Sequence, residues 1–131
     1  MNLVSLYECL CDETRLRILH LLNYTPLCVC HFQSVLGEAQ VKISKHLRYL
    51  KAHGMVESRQ HQNWRIYSLP EKRGYELEAH LKCLQDCIRE SKLFRADLKR
   101  LKAVNDEASE IANLCCEASA MEKRGKRAPC C

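Results

Sequence analysis

Ten cysteines occur in this chain of 131 residues, and all of them stand in pairs no more than four residues apart. The pairs are Cys9 with Cys11, Cys28 with Cys30, Cys83 with Cys87, Cys115 with Cys116, and Cys130 with Cys131. In a secreted chain so many cysteines would predict disulfides. The first ten residues have neither the basic segment nor the apolar stretch of a signal peptide, so metal or metalloid binding, or redox chemistry, is favoured instead.

Cys28 and Cys30 stand at the predicted start of a helix. Soft ions such as trivalent arsenic and antimony prefer thiolate ligands, and a helix N-terminus favours the thiolate over the thiol. Because residues two apart on a regular helix do not face each other, an ion bound to both must unwind or distort the helix start. We predict a soft-ion site at this pair; the alternative is two cysteines that pack a loop.

The other cysteines support different expectations. The pairs 115–116 and 130–131 lie on a tail that we expect to be mobile, which could reach across a dimer to supply a further thiolate or could have no function. Cys83 and Cys87 have a spacing that suits a metal, but helix packing is the commoner role of such a pair. For Cys9 and Cys11, near the first helix, we expect burial.

Four helices are predicted in the first half of the chain from apolar residues at helical spacing. They cover residues 3–10, 12–22, 29–36 and 39–53. Asp12 is a suitable N-cap for the second helix, and Gly37 and Gly54 are suited to end the third and fourth. The third and fourth helices are joined by a short glycine-containing connection, so together they predict a helix-turn-helix.

A β-hairpin and one long helix are predicted to follow. Residues 55–60 and 64–69 flank a turn in which Asn63 can adopt a left-handed backbone at low cost. An apolar stripe then predicts one helix from Glu71 to about Val104. The fold class is therefore mostly α with a small β-hairpin: a winged helix-turn-helix domain over residues 1–104, followed by a cysteine-containing mobile tail over 105–131.

The net charge of +5 is unevenly distributed. Residues 31–69 carry six basic and two acidic side chains, which suggests a polyanion partner, although a solvated surface is the alternative. On the fourth helix, the polar face carries Ser44, Lys45 and Arg48, which in a major groove could reach guanine or phosphate. Arg59 and Arg65, near the hairpin tip, are suited to contact the DNA backbone.

Four segments together resemble the arsenic-repressor (ArsR/SmtB) family. CDETRLRIL at 11–19 is similar to the opening of the family's second helix, and LCVCHF at 27–32 to its metalloid-binding segment. QVKISKHLRYL at 40–50 resembles the recognition helix, and WRIYSL at 64–69 resembles the returning strand of the wing. The resemblance covers roughly residues 3–100, with all segments in family order.

This resemblance implies a homodimer that is held by the first and last helices and binds a palindromic operator in double-stranded DNA. Arsenite, antimonite or an organoarsenical would bind cysteine thiolates and release the repressor. The candidate ion ligands are Cys28, Cys30, Cys115, Cys116, Cys130 and Cys131. The candidate DNA contacts are Gln40, Lys42, Ser44, Lys45, His46, Arg48, Arg59 and Arg65.

Two departures from the family patterns leave other sensors open. Where the arsenite-binding pattern has a third cysteine, this chain has Gln33, so the third ligand comes from elsewhere or the ligand is a two-thiolate species such as an organoarsenical. Glu76, Glu78 and His80 do not reproduce the Asp and His spacing of the zinc-sensing branch. A sensor of zinc, cadmium or lead, or of thiol redox state, is the alternative on the same DNA-binding fold.

An enzyme is the least favoured interpretation. A cysteine followed six positions later by an arginine, as in arsenate reductases and tyrosine phosphatases, occurs three times, but no intervening segment contains the glycine of an anion-binding loop. No apolar run approaches the length of a membrane span, so no membrane association is expected. We expect a regulator that stays in the cytoplasm.

Overall fold

The structure is a computed structural model that describes residues 2–104. Its helices are α1 (Leu3–Leu10), α2 (Glu13–Leu22), α3 (Val29–Leu36), α4 (Gln40–Ala52), α5 (Tyr75–Cys87) and α6 (Lys92–Ala103). Its strands are β1 (Leu27–Cys28), β2 (Glu57–His61) and β3 (Trp64–Ser68). The mostly helical winged-helix fold predicted from the sequence is confirmed, whereas the predicted tail over 105–131 lies outside the described residues.

Local signals fix the ends of the helices that support the site. The Asp12 carboxylate accepts a hydrogen bond from the backbone N–H of Arg15 at 3.0 Å, so this residue caps α2 as predicted. Gly37 follows α3 with a φ of 67°, a left-handed conformation that suits glycine at a helix end. These two signals set the length and direction of the helices before and after the Cys28 segment.

The sheet has three strands rather than the two of the predicted hairpin. The order is β1-β3-β2 and both pairings are antiparallel, with Leu27 opposite Tyr67 and Cys28 opposite Ile66. Strand β1 is only two residues long and runs directly into α3, so it is too short to produce an alternating pattern in the sequence. Cys28 is therefore attached to the wing as well as to a helix.

The turn of the wing differs from the prediction in one residue. Gln62, not Asn63, has the positive φ, at 53°. In a two-residue hairpin turn, a positive φ at the first central position is typical of the type II′ geometry, which matches the twist of the strands. The prediction was wrong because it followed the intrinsic preference of asparagine, whereas the turn geometry selects the position.

The predicted long helix is broken. α5 ends at Cys87, a single 3-10 turn covers Ile88–Glu90, and Ser91 is extended with φ −79° and ψ 121° before α6 begins. A continuous helix over residues 71–104 would be about 50 Å long and would leave the domain. The break instead returns α6 to pack against α2 and α3, where Phe94 and Leu101 are buried.

The main core lies between the helices and the inner face of the sheet, and Leu6, Leu19, Phe32 and Leu47 are fully buried within it. A second, smaller cluster is formed by the outer face of the sheet, where Cys28 and Ile66 are buried beneath Cys30 and Trp64. None of the described helices is long and apolar enough to cross a membrane.

One core residue is polar and has no hydrogen-bond partner within residues 2–104. His20 is fully buried on α2, between the rings of Tyr24 and Phe94, whose centroids lie 5.4 and 5.3 Å from its own. Burial lowers the pKa of His20 from 6.5 to about 4, with only partial opposition from the charge of Asp97. The folded protein therefore holds this imidazole neutral.

We expect His20→Leu to make the protein less sensitive to acid. In the unfolded chain the imidazole takes up a proton near pH 6.5, while in the folded chain it does so only near pH 4. Stability is therefore complete above pH 6.5 and is lost as the pH falls towards 4, by up to about 3 kcal/mol. Urea unfolding at pH 7 and pH 5 measures this loss, and an equal loss in both proteins would assign it to other groups.

Candidate soft-ion site and nucleic-acid interface

The sulfur atoms of Cys28 and Cys30 meet where β1 passes into α3. Cys28 is the last residue of β1 and the N-cap of α3, with an extended backbone at φ −94° and ψ 168°. Cys30 lies in the first turn of α3, and the two Sγ atoms are 2.9 Å apart. Cys28 lies outside the helix and already turns its sulfur towards Cys30, so the two meet without unwinding of α3. The expectation that a bound ion distorts the start of this helix stays a prediction.

His31 adds a third donor to these thiols. Its Nδ1 lies 2.9 Å from Cys28 Sγ, and its side chain is buried. The ligand atoms of Cys28, Cys30 and His31 all lie within 4.8 Å of one another. His31 was not among the ligands predicted from the sequence, although a histidine directly after a Cys-x-Cys segment is itself a signal, because imidazole and thiolate are common ligands in one metal site.

Strand β3 packs directly against this cluster. Cys28 pairs with Ile66 across the sheet, and Trp64 and Cys30 complete the apolar cluster around it. A movement of Cys28 would therefore displace two elements, the N-terminus of α3 and strand β3, which returns from the tip of the wing.

The spacing of the thiols determines how an ion could fit. Two thiolates bound to one ion at about 2.3 Å lie about 3.3–3.8 Å apart, for bond angles from about 90°, near those of pyramidal trivalent arsenic, to the tetrahedral value. The two Sγ atoms are 2.9 Å apart, so one ion bound to both has to separate them by about 0.4–0.9 Å. The bound state therefore differs from the described one at the junction of β1 and α3.

The remaining cysteines are placed as follows. Cys115, Cys116, Cys130 and Cys131 lie outside the described residues. Cys9 is buried as expected, and burial raises the pKa of its thiol. Cys11, Cys83 and Cys87 are exposed in the single chain, so they do not pack within it, and their packing in a dimer stays a prediction. On α5 the packing face is formed by Leu77 and Leu81, and the two cysteines lie to one side of it.

A basic cleft of about 420 Å³ lies between α4 and the wing. The cationic side chains that line it are Arg48 and Lys51 of α4 and Arg65 of β3. Its polar lining is completed by Ser44, Gln60 and Asn63. The structure thus brings together three of the predicted DNA contacts, Ser44, Arg48 and Arg65, and adds Lys51 to them.

Ser58 of β2 holds two of these cations side by side. Its Oγ accepts hydrogen bonds from Lys51 Nζ at 2.7 Å and from an Arg65 guanidinium nitrogen at 3.0 Å. Lys51 was missed in the sequence, although its spacing of three residues from Arg48 and seven from Ser44 puts it on the same helix face. The wing and α4 are thereby fixed to each other at the cleft.

The other predicted DNA contacts lie outside this cleft. Gln40 and Lys45 are exposed on α4, while Lys42 forms an ion pair with Glu38 at 3.1 Å. Arg59 pairs across the sheet with Ile66, whereas Gln60 pairs with Arg65. Since neighbouring residues of a strand point to opposite faces, Arg59 lies on the face opposite to Arg65.

His46 is turned towards α2 instead. Its Nε2 lies 3.9 Å from an Asp12 carboxylate oxygen, and only 13% of its side chain is exposed. Burial lowers the pKa of His46, and the neighbouring cations Arg15, Lys42 and Lys45 act in the same direction, while Asp12 opposes them. His46 therefore joins α4 to the N-terminus of α2.

A buried ion-pair network holds the end of α3, next to the turn into α4. Both Nε and a terminal nitrogen of Arg17 donate to the Asp97 carboxylate at 2.8 Å, and Arg100 donates to the same carboxylate at 2.7 Å. Arg17 also donates to the carbonyl of Leu36, and Arg100 to that of Val35. The hydrogen bond to Asp97 raises the pKa of Arg17. Side chains of α2 and α6 thereby hydrogen-bond the last turn of α3.

The sequence of this chain is similar to those of known transcriptional regulators. The chain is 40% identical over 67 residues to the arsenical resistance operon repressor of Escherichia coli K12, which is half of this chain and 57% of that protein. It is 36% identical over 74 residues to an uncharacterized HTH-type transcriptional regulator of Methanocaldococcus jannaschii, covering 56% of this chain and 83% of that protein. The chain thus spans little more than half the length of the E. coli relative.

Solved structures and a family profile agree with these relatives. Reduced HlyU from Vibrio cholerae superposes with a TM-score of 0.60 at 29% identity, over 66% of this chain and 88% of that one. Residues 12–58, from the cap of α2 into β2, match the profile described as bacterial regulatory protein, arsR family. These relatives and this fold are those of transcriptional regulators rather than of enzymes, and the chain belongs to the arsR family of bacterial regulatory proteins.

Proposed function

We propose that this protein is a repressor that binds operator DNA as a homodimer and is released when trivalent arsenic or antimony binds the thiolates of Cys28 and Cys30. The observation that carries this proposal is the approach of these two sulfur atoms to 2.9 Å, on an element shared by α3 and the wing. The name of the E. coli relative, an arsenical resistance operon repressor, supports the same ligand class.

The cleft between α4 and the wing supports the DNA-binding part of the proposal. Arg48, Lys51 and Arg65 provide three cations around one concave surface. α4 is the second helix of the helix-turn-helix, the element that enters a major groove in such proteins. Lys45 and Gln40, exposed on the same helix, complete the set of DNA contacts that we propose.

An exposed apolar surface on α1 and α5 supports the homodimer. Leu3, Val4 and Tyr7 are exposed on α1, and Tyr75 is 84% exposed at the start of α5. The Tyr7 hydroxyl contacts His80 Nε2 at 3.1 Å, which joins the two helices into one surface. We therefore assign dimerisation to α1 and α5 rather than to α6, whose apolar residues pack within the same chain.

The site's position suggests how ion binding would release DNA. Separating the two thiols moves Cys28, the N-cap of α3, and with it the pairing of β1 with β3. Through β3 this movement reaches Arg65, one of the cations of the cleft. Coupling between two such sites is typically about 1–3 kcal/mol, so we expect operator affinity to fall about 5- to 150-fold when the ion binds.

A borderline divalent ion such as zinc or cadmium is the second candidate inducer, and His31 is the observation that favours it. Imidazole is a good ligand for zinc, whereas trivalent arsenic prefers thiolates alone. A further thiolate from Cys115, Cys116, Cys130 or Cys131 would instead favour arsenic. His31→Ala distinguishes the two: it should weaken a zinc response strongly and an arsenite response little.

The test follows the fluorescence anisotropy of a labelled operator bound to the reduced protein during titration with arsenite, antimonite, phenylarsine oxide, zinc and cadmium. Salt is fixed because phosphate contacts make the affinity salt-dependent. Wild type is compared with Cys28→Ser/Cys30→Ser and with Cys11→Ser, which removes an exposed thiol elsewhere. We expect arsenite or antimonite to release the wild type and the Cys11 variant but not the double variant.

Other outcomes bear on separate parts of the proposal. Release of the double variant at wild-type arsenite concentrations would remove sensing from this cluster. Release by zinc or cadmium alone would leave the site and change its ligand. Failure of the wild type to bind the operator would contradict the repressor function itself.

A further inference from the structure

Cys83 and Cys87 form a second thiol pair, to which the proposed function assigns no role. They lie one turn apart on α5, both thiols are exposed and free, and their Sγ atoms are 3.6 Å apart. They share a helix stripe with His80, which contacts Tyr7 of α1. Both thiols are therefore accessible in the single chain, at the edge of the surface that α1 and α5 form.

The separation of these thiols matches that of two ligands of one soft ion. Thiolates bound to one ion at about 2.3 Å lie about 3.3–3.8 Å apart for bond angles between about 90° and the tetrahedral value, and the two Sγ atoms here are 3.6 Å apart. An ion could therefore bind both with a movement of a few tenths of an ångström and no change in the helix. The Cys28–Cys30 pair, at 2.9 Å, needs a larger one.

The same geometry disfavours a disulfide between the two residues. Cβ atoms four residues apart on a helix are about 5–6 Å apart, whereas a disulfide needs Cβ atoms about 3.5–4.5 Å apart. Oxidation would therefore require α5 to deform, but chelation would not. The pair is preorganised for an ion and not for a covalent bond between its own sulfur atoms.

The electrostatic state of the pair is consistent with chelation. The pKa of the Cys87 thiol is raised, first by its hydrogen bond with Cys83 and then by the negative charge of the neighbouring thiolate. The Cys87 thiol therefore keeps its proton until a bound Lewis acid displaces it, and in the bound state the ion neutralises both sulfur atoms.

We propose that Cys83 and Cys87 are a binding site for monosubstituted trivalent arsenicals, separate from the Cys28–Cys30–His31 cluster. Such an arsenical has two exchangeable positions, which matches two thiols and needs no third ligand. Each As–OH group of the hydrated arsenical leaves as water with the proton of one thiol, and two As–S bonds form. Arsenic stays trivalent, so the step needs neither an oxidant nor a reductant.

The test uses phenylarsine oxide and the full-length chain with Cys28, Cys30 and the four cysteines beyond residue 104 replaced by Ser. Four cysteines then remain, of which Cys9 is buried and Cys11 is single. We expect one equivalent to bind and to protect Cys83 and Cys87 from maleimide, as located by peptide mass. Because Cys28 and Cys30 are absent, the result does not depend on the proposed function.

A spacing variant provides the matched control. In that background, Gln85→Cys/Cys87→Ser keeps the number of thiols on α5 but sets them two residues apart, so they do not face each other. We expect its dissociation constant for phenylarsine oxide to be at least about tenfold higher. The second thiol no longer lies near an arsenic atom bound to the first, so the second As–S bond does not form within the helix. Equal affinity of both proteins would overturn the proposal.

The chain with all ten cysteines supplies a second measurement that needs no background substitutions. At saturating phenylarsine oxide, maleimide labelling followed by peptide mass should show Cys83 and Cys87 protected together, while Cys11 is labelled. Labelling of Cys83 and Cys87 at the rate of Cys11 would also contradict the proposal. Circular dichroism of each variant establishes that the helices are intact.

Discussion

Replacement of Asp97 by Ala should lower the free energy of unfolding by about 3–5 kcal/mol. Asp97 is fully buried and accepts charge-assisted hydrogen bonds from Arg17 and Arg100. Arg17 is itself buried, so the variant would leave its guanidinium without an anion in a region that water does not reach. The destabilisation comes from this uncompensated charge more than from the loss of the ion pair itself.

Two further variants separate these causes. Asp97→Asn keeps the shape and can still accept a hydrogen bond, so it should cost less than Asp97→Ala. Arg17→Met/Asp97→Leu removes both charges, and apolar replacements of a buried pair are often neutral or better. The charge of Arg100 stays in contact with water in this double variant, because the side chain is 45% exposed. Urea unfolding at pH 7 ranks the three variants by their free energy of unfolding. A double variant less stable than Asp97→Ala would contradict this explanation.

The same network bears on function through α3. Arg17 and Arg100 donate to the carbonyls of Leu36 and Val35, the last two residues of α3. Movement that begins at the N-terminus of α3 is therefore resisted at its C-terminus, next to the turn before α4. Cys28 and Asp97 thus act on opposite ends of the helix that precedes the DNA-reading helix.

Much of this fold could be predicted from the sequence, because its helices carry local signals that agree with tertiary packing. Asp12 and Gly37 mark helix ends by capping chemistry alone, and both do so in the structure. The break between α5 and α6 could not be predicted in this way. Leu77, Leu81, Leu84 and Ile88 follow one helical period, and the return of α6 depends on the distant partners Arg17 and Val35.

The site was predicted in part for the same reason. The Cys-x-Cys spacing identified the two thiols, but their relative position depends on Cys28 being the residue where a strand ends and a helix begins. That strand exists only because β3 pairs with it, which is a non-local contact. Likewise, Arg59 and Arg65 are equally basic in the sequence, and only the register of β2 and β3 shows that they lie on opposite faces.

The predicted DNA contacts that line the cleft should therefore affect operator affinity much more than those that lie outside it. We expect Arg48→Ala/Arg65→Ala to weaken operator binding by about 2–6 kcal/mol, or at least about 30-fold in Kd at fixed salt. Both side chains line the cleft between α4 and the wing. The slope of log K against log salt should also decrease by about 2, since each cation that meets a phosphate releases about one counterion.

The matched control is Lys42→Ala/Arg59→Ala, which removes the same two charges from positions outside the cleft. Lys42 is held by Glu38, and Arg59 lies on the opposite face of the wing. We expect this control to weaken binding less than about tenfold, because a distant charge contributes only a long-range term that physiological salt screens. Anisotropy titrations at four salt concentrations measure both the dissociation constant and its salt dependence for each protein.

Equal losses of affinity in the two double variants would mean that net charge, rather than the cleft, determines affinity. A larger loss in the control would place the DNA on the Arg59 face of the wing, beside the Cys28–Cys30–His31 cluster, and ion binding would then compete with DNA directly instead of acting through α3 and β3.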